Sequence, residues 1–162
     1  MSDYNEFERN QRESLMALDG FRIAVTPLPC EIEAFDLQSS SKKIEEEIEK
    51  LVNDAGIKTL TSEQYGAVNA PGNLGITVES IKSDRGTYVY AVRAYVTQLA
   101  VLERDIRRER NDFYPVVTWM SPRLRTGEVS SQLFVSRIIE QIRAVAVDFV
   151  EAYKQAQSEL QL

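Results

Sequence analysis

Histidine is absent from this chain of 162 residues, and cysteine occurs once, at Cys30. Without an imidazole there is no Ser-His-Asp or Cys-His relay, no imidazole metal ligand and no side chain that ordinarily titrates near neutrality. A single thiol closes no disulfide within the chain and builds no thiolate zinc site. Cys30 lies between Pro29 and Glu31 in an apolar segment, where a small buried thiol is expected rather than a nucleophile. Long apolar runs are also missing: no stretch reaches the roughly 18 residues that span a bilayer. The opening nine residues, Met1 to Arg9, are polar and acidic and hold no hydrophobic signal core. As it stands the sequence is expected in the cytoplasm; an export signal ahead of Met1 would place the protein in the periplasm.

Gly66, Gly72 and Gly75 lack the spacing and the following Lys-Ser or Lys-Thr of a phosphate loop. No metal, nucleotide or other cofactor is therefore expected. Paired carboxylates remain as a catalytic class, and that chemistry needs two acids about 5 to 9.5 Å apart. Glu79 in a predicted strand and Asp84 in a predicted turn have no acidic partner held by regular structure.

Apolar residues at 43% and charged residues at 27% are ordinary for a globular chain, and this length predicts one domain. The 25 acids outweigh the 19 basic residues, a net charge of -6 that disfavours nucleic acid unless the cations cluster. They come closest between 103 and 112, where Arg104, Arg107, Arg108 and Arg110 are offset by Glu103, Asp105, Glu109 and Asp112. That segment is expected as a solvated hairpin tip with internal ion pairs.

The chain is organised around Thr87 to Leu102, rich in Val and Tyr, free of Gly and Pro, and charged only at Arg93. It predicts one long strand. Period two sets Tyr88, Tyr90, Val92, Ala94, Val96, Gln98, Ala100 and Leu102 on the core face, and Val89, Ala91, Arg93, Tyr95, Thr97, Leu99 and Val101 on the other. Ahead of it, Leu74 to Lys82 alternates as a strand and Ser83 to Gly86 reads as a turn, so the two should form an antiparallel hairpin. Phe113 to Met120 is the returning strand, and Arg123 to Thr126 is read as loop between Pro122 and Gly127. Earlier, Phe21, Ile23 and Val25 mark a strand that ends at Pro27 and Pro29 or continues along an edge from Cys30 to Leu37. Ile57 to Thr61 reads as a brief strand and Ser62 to Asn73 as a loop.

Two amphipathic helices are predicted. Ser39 to Ser41 cap the first, whose stripe is Ile44, Ile48, Leu51, Val52 and Ala55, with Gly56 as its stop. Its Glu45, Glu46 and Glu47 are expected as a solvated face rather than a metal or partner site. The second, capped by Ser130 or Ser131, runs from about Gln132 to Gln157 with Val135, Ile138, Ile142, Val145, Phe149 and Tyr153 in its stripe. Residues 1–19 are a short helix or arm, 20–158 a single domain and 159–162 a tail.

From Ala55 onward the chain resembles a set of uncharacterised bacterial α/β proteins. The resemblance rests on the Ala55-Gly56-Ile57 helix exit, the Gly75 to Leu102 hairpin with Gln98, Leu102-Glu103-Arg104, Thr118-Trp119, and the final helix with Asp148-Phe149 and Tyr153. The order of elements also resembles the N-terminal domain of TolB-type envelope-assembly proteins. That likeness implies an accessory or assembly role, often in an exported protein.

The expected fold is α+β: a two-layer sandwich with a mainly antiparallel sheet of four or five strands, a long central hairpin and two principal helices on one face. The expected function is non-enzymatic, a protein-binding or assembly module that takes a protein partner or self-associates. The alternatives are a ring-forming phage or virion connector and, further off, a carboxylate-based or nucleotide-binding enzyme. The candidate interaction residues are Trp119, Tyr114, Arg123 and Arg125 at the hairpin end, since aromatics and Arg anchor interfaces, with Arg93 and Tyr95 as a second surface; the more ordinary expectation is that Trp119 packs under the C-terminal helix while the arginines are solvated. If no helix covers that side of the sheet, Tyr95 and Leu99 are exposed and self-association is favoured.

Overall fold

The structure, a computed structural model, describes residues 2–16, 18–26, 41–101, 103–107 and 112–159. In chain order its elements are α1 (Ser2–Glu13), β1 (Gly20–Val25), α2 (Ser41–Asp54), α3 (Ser62–Ala67), β2 (Pro71–Lys82), β3 (Thr87–Val101), α4 (Glu103–Ile106), β4 (Phe113–Met120), β5 (Arg125–Ser130) and α5 (Ser131–Glu159). Cys30, Pro27, Pro29 and the edge continuation to Leu37 lie outside the described residues, as do the caps Ser39 and Ser40 and the arginines Arg108 and Arg110.

The fold is α+β with a mixed, mostly antiparallel five-stranded sheet. The β-branched run of β3 pairs on both sides. On one it meets β2 through the predicted hairpin, from Lys82↔Tyr88 to Asn73↔Thr97. The connecting turn places Gly86 at φ 77°, a conformation that costs a Cβ-bearing residue more. On the other side β4 pairs with the far half of β3 and β5 with the near half. The two lie end to end, and Ser121 bridges them by donating its N–H to Ala94 O while its Oγ accepts from Ala94 N–H.

The segment read as loop around Arg125 and Gly127 is therefore strand. Its Thr-Gly-Glu alternation is too polar to signal one, and β3 supplies the ladder that makes it one. The loop predicted from Ser62 to Asn73 also needs correction. Thr61 and Gln64 form a reciprocal capping box that starts α3, and β2 begins at Pro71 rather than Leu74. Ile57 to Thr61 is no strand of its own; Phe21 pairs with Thr59 there in a single bridge. β1 runs parallel to β2, as a helix-containing crossover permits.

Period two sorts the side chains as their burial requires. Phe21, Ile23 and Val25, then Leu74, Ile76 and Val78, then Tyr88, Tyr90, Val92, Ala94 and Val96 are all buried in one core. Helix α5 lies against them: Phe149 meets Phe21 edge-on at 4.9 Å, and Phe134 stacks on Tyr88 at 4.1 Å. Ile44, Ile48 and Val52 of α2 join the same core. Gly56 then closes α2 at φ 81°, with the Ile57 N–H donating back to Val52 O. Glu46 and Glu47 are exposed, whereas Glu45 is half-buried and its Oε1 accepts the Val25 N–H at 2.9 Å.

The amino-terminal arm is the helix α1, and it touches α5 and β4. Arg12 approaches Glu159 at 3.5 Å, and the Gln98 amide donates to both Ser14 O and Thr118 Oγ1. Asp105 of the short α4, predicted to be solvated, is buried at 3% exposure. No described helix is long and apolar enough to cross a membrane.

Candidate functional site: the outward face of the sheet

The alternation that seats half of each strand in the core sends the other half the opposite way. Asn73, Gly75, Thr77, Glu79 and Ile81 of β2 share this outward face with Val89, Ala91, Arg93, Tyr95, Thr97, Leu99 and Val101 of β3, their ladder partners and neighbours. A bulge completes it. Val96 pairs with Trp119 while Thr97 pairs with Val117, so Thr118 is the extra residue in β4. Strict alternation would put Val117 on the same side as Trp119. With the bulge, Trp119 turns inward at 2% exposure and Val117 outward at 55%.

The result is a row of exposed apolar side chains: Ile81, Val89, Leu99, Phe113, Val117 and Met120. Ile81 and Val89 stand at one end of the face and the other four at the opposite end, and exposed apolar groups gathered on paired strands usually mark a contact site. Thr77, Glu79, Arg93, Tyr95, Val117 and Met120 line a shallow concavity of about 320 Å³ within it. Towards β1 the face becomes polar and satisfied. Arg22 donates to Asn73 at 2.9 Å, Asn73 donates to Thr97 at 3.4 Å, and the Arg22 guanidinium lies 4.9 Å from the Tyr65 ring of α3.

The predicted interaction residues separate on this geometry. Arg93 and Tyr95 lie on the outward face. Trp119 packs under α5, meeting Phe149 edge-on at 5.6 Å in the core. Tyr114 is half-buried, and Arg123 is exposed in the 121–124 connection. Arg125 points towards α5, where its Nη2 donates to both Asp148 oxygens at 2.9 Å. The hairpin end thus does not gather Trp119, Tyr114, Arg123 and Arg125 into one surface. Sequence reading singled out Leu99 but missed Val117 and Met120, because only the bulge shows which way β4 faces.

A second concavity, of about 370 Å³, lies between α1, α5 and the end of β4. Phe7, Arg12, Trp119, Asp148 and Glu151 are among its lining residues. Asp148 is paired with Arg125 and Arg12 faces Glu159, while Glu8 and Glu151 also line the concavity. Among the described residues no three Cys, Asp or Glu side chains are grouped to hold a metal ion.

No protein-family model matches the chain, and no curated protein matches its sequence.

Proposed function

We propose that this protein is a non-enzymatic protein-binding or assembly module that works through the outward face of its sheet. In this reading the molecule is a two-layer sandwich in which α2 and α5, the principal helices, cover the inward face. What supports it above all is the exposure of Leu99, Val117, Met120 and Phe113 side by side on adjacent strands. Isolated exposed apolar residues are unremarkable on a protein surface, but a ladder of them on paired strands forms one surface whose removal from water favours association.

The test is the double substitution Leu99→Glu with Val117→Glu. Both side chains are exposed, so stability should change by less than about 0.5 kcal/mol per site. Association measured by sedimentation velocity should disappear. Unfolding at markedly lower temperature would mean that the chain itself buries the face, and unchanged association would place the contact elsewhere; either result overturns the reading. A melting screen separates it from the enzymatic alternative, because stabilisation by a nucleotide, a metal or a sugar would reveal a ligand site the binding-module reading does not contain.

A further inference from the structure

We infer that the occupant of the outward face is a second copy of this chain, related by a two-fold axis that sets Arg93 of each copy against Glu79 of the other. This rests on the binding-module reading and names its partner.

The carrying observation is a pair of opposite charges placed in the middle of the apolar row and left unused. Thr77 pairs with Arg93 and Glu79 with Ala91, so Arg93 and Glu79 are diagonal neighbours on one face of the β2–β3 ladder. Both line the same concavity, with Tyr95, Val117 and Met120 around them. Among the described residues neither makes an ion pair or a side-chain hydrogen bond, whereas the other charged groups of the face are engaged: Arg22 is linked through Asn73 to Thr97, and Glu128, the ladder partner of Val89, accepts from the Thr87 hydroxyl. A patch with one cation and one anion at its centre is its own electrostatic complement. A two-fold axis parallel to the sheet, running just above its outward face and perpendicular to the line between the two side chains at its midpoint, sets each charge of one copy over the opposite charge of the other, so both find partners at once. That is the isologous arrangement, in which one patch serves both subunits. Ile81 and Val89 on one side of the charges, and Leu99, Val117 and Met120 on the other, are then covered by the same contact.

The size of the face agrees. The fifteen residues of β3 extend about 50 Å, and three strands at their usual spacing are about 14 Å wide, a footprint of roughly 700 Å². A stable pair of subunits buries about 800 Å² on each. Two sheets packing face to face is also a standard way to bury such surfaces. Other occupants suit the chemistry less well. With Arg22 already held by Asn73 and the Tyr65 ring, Arg93 alone in a chain of net charge -6 gives anionic lipid or nucleic acid little to hold.

The test uses Arg93→Glu, Glu79→Arg and their combination in the full chain, with mass in solution measured by light scattering and sedimentation equilibrium. The wild type should be a dimer. Each single substitution places like charges across the axis and should raise the dissociation constant at least about tenfold. The double substitution should restore dimerisation. A one-to-one mixture of the two single variants should form a heterodimer, since one then carries two acids and the other two bases at the exchanged positions. Failure of the mixture to associate would overturn the inference, and so would a fixed mass above that of a dimer, flotation with anionic vesicles, or a wild type that stays monomeric. For a monomer, an apolar fluorescent dye separates the two readings. Dye bound by wild type and lost in Leu99→Glu/Val117→Glu would leave the binding face standing with a different partner, whereas no dye binding would remove the face as well.

Discussion

Tyr95 lies across Gly75, its direct partner in the β2–β3 ladder, so closely that a Cβ added to the glycine would fall 2.6 Å from the phenol ring. The same relationship recurs on the inward face. Gly72 faces Phe21 and Gly127 faces Tyr90, and at each a Cβ would come within 2.6 Å of the aromatic side chain. Glycine weakens a strand by leaving a hole in its surface, and in each case an aromatic ring from the neighbouring strand fills the hole. Sheet stability here comes in part from these cross-strand pairs.

Gly75→Ala should therefore destabilise the protein, by about 1–3 kcal/mol, because the added methyl must displace Tyr95 from its seat. Tyr95 borders the proposed contact, so the same variant should also weaken association. Urea unfolding combined with sedimentation at several concentrations checks both.

Trp119→Ala should lower stability by about 3–5 kcal/mol, the range for emptying a buried aromatic site. Its ring packs edge-on against Phe149, which in turn meets Phe21, so the loss reaches the centre of the core. Chemical unfolding of the variant measures this. A change below about 0.5 kcal/mol, the scale of a surface substitution, would place Trp119 outside the core.

The pair Arg125–Asp148 joins β5 to α5 with both side chains partly buried, at 28% and 19% exposure. The Nε of Arg125 is buried with no hydrogen-bond partner, so the guanidinium depends on Asp148 for compensation. Asp148→Ala should cost about 1–3 kcal/mol, less than a fully buried pair because water still reaches both groups. Replacing Arg125 and Asp148 together by Met and Leu should recover much of that loss. A double-mutant cycle gives the coupling.

Gln98 holds α1 to the sheet through Ser14 and Thr118. Gln98→Leu leaves the Ser14 carbonyl without this donor and should cost about 1–2 kcal/mol. Its specific signature is faster amide exchange in α1 than in α5, read by mass spectrometry. Equal protection of the two helices would mean that α1 is held by its other contacts.

The strongest elements were legible from composition because one physical rule governed each. Thr87–Val101 is β-branched and aromatic with strict alternation, so its core face could be read residue by residue. The stripe of α2 and the glycine after it likewise identified a helix and its end. Less legible were segments whose structure is imposed by neighbours. Arg125–Ser130 carries no apolar run, and it is a strand because β3 offers it hydrogen bonds. The capping box at Thr61 and Gln64 was present in the sequence as a signal for α3 but lay among turn-forming residues. Arg125 reads as a surface anchor in the sequence because nothing local shows that Asp148, on the following helix, lies within reach.

By itself the sequence determined that these 162 residues supply no imidazole and one thiol, and that they hold a long central strand whose two faces differ in polarity. Those follow from which residues exist and from the two-residue period of an extended chain. Only the tertiary structure decided what each face meets. The bulge at Thr118 turns Val117 away from Trp119, and the glycine at 75 lets Tyr95 lie down on β2. The register between strands sets Arg93 diagonal to Glu79. Register and bulges depend on how separate strands share hydrogen bonds, and that is a property of the assembled sheet rather than of any one segment.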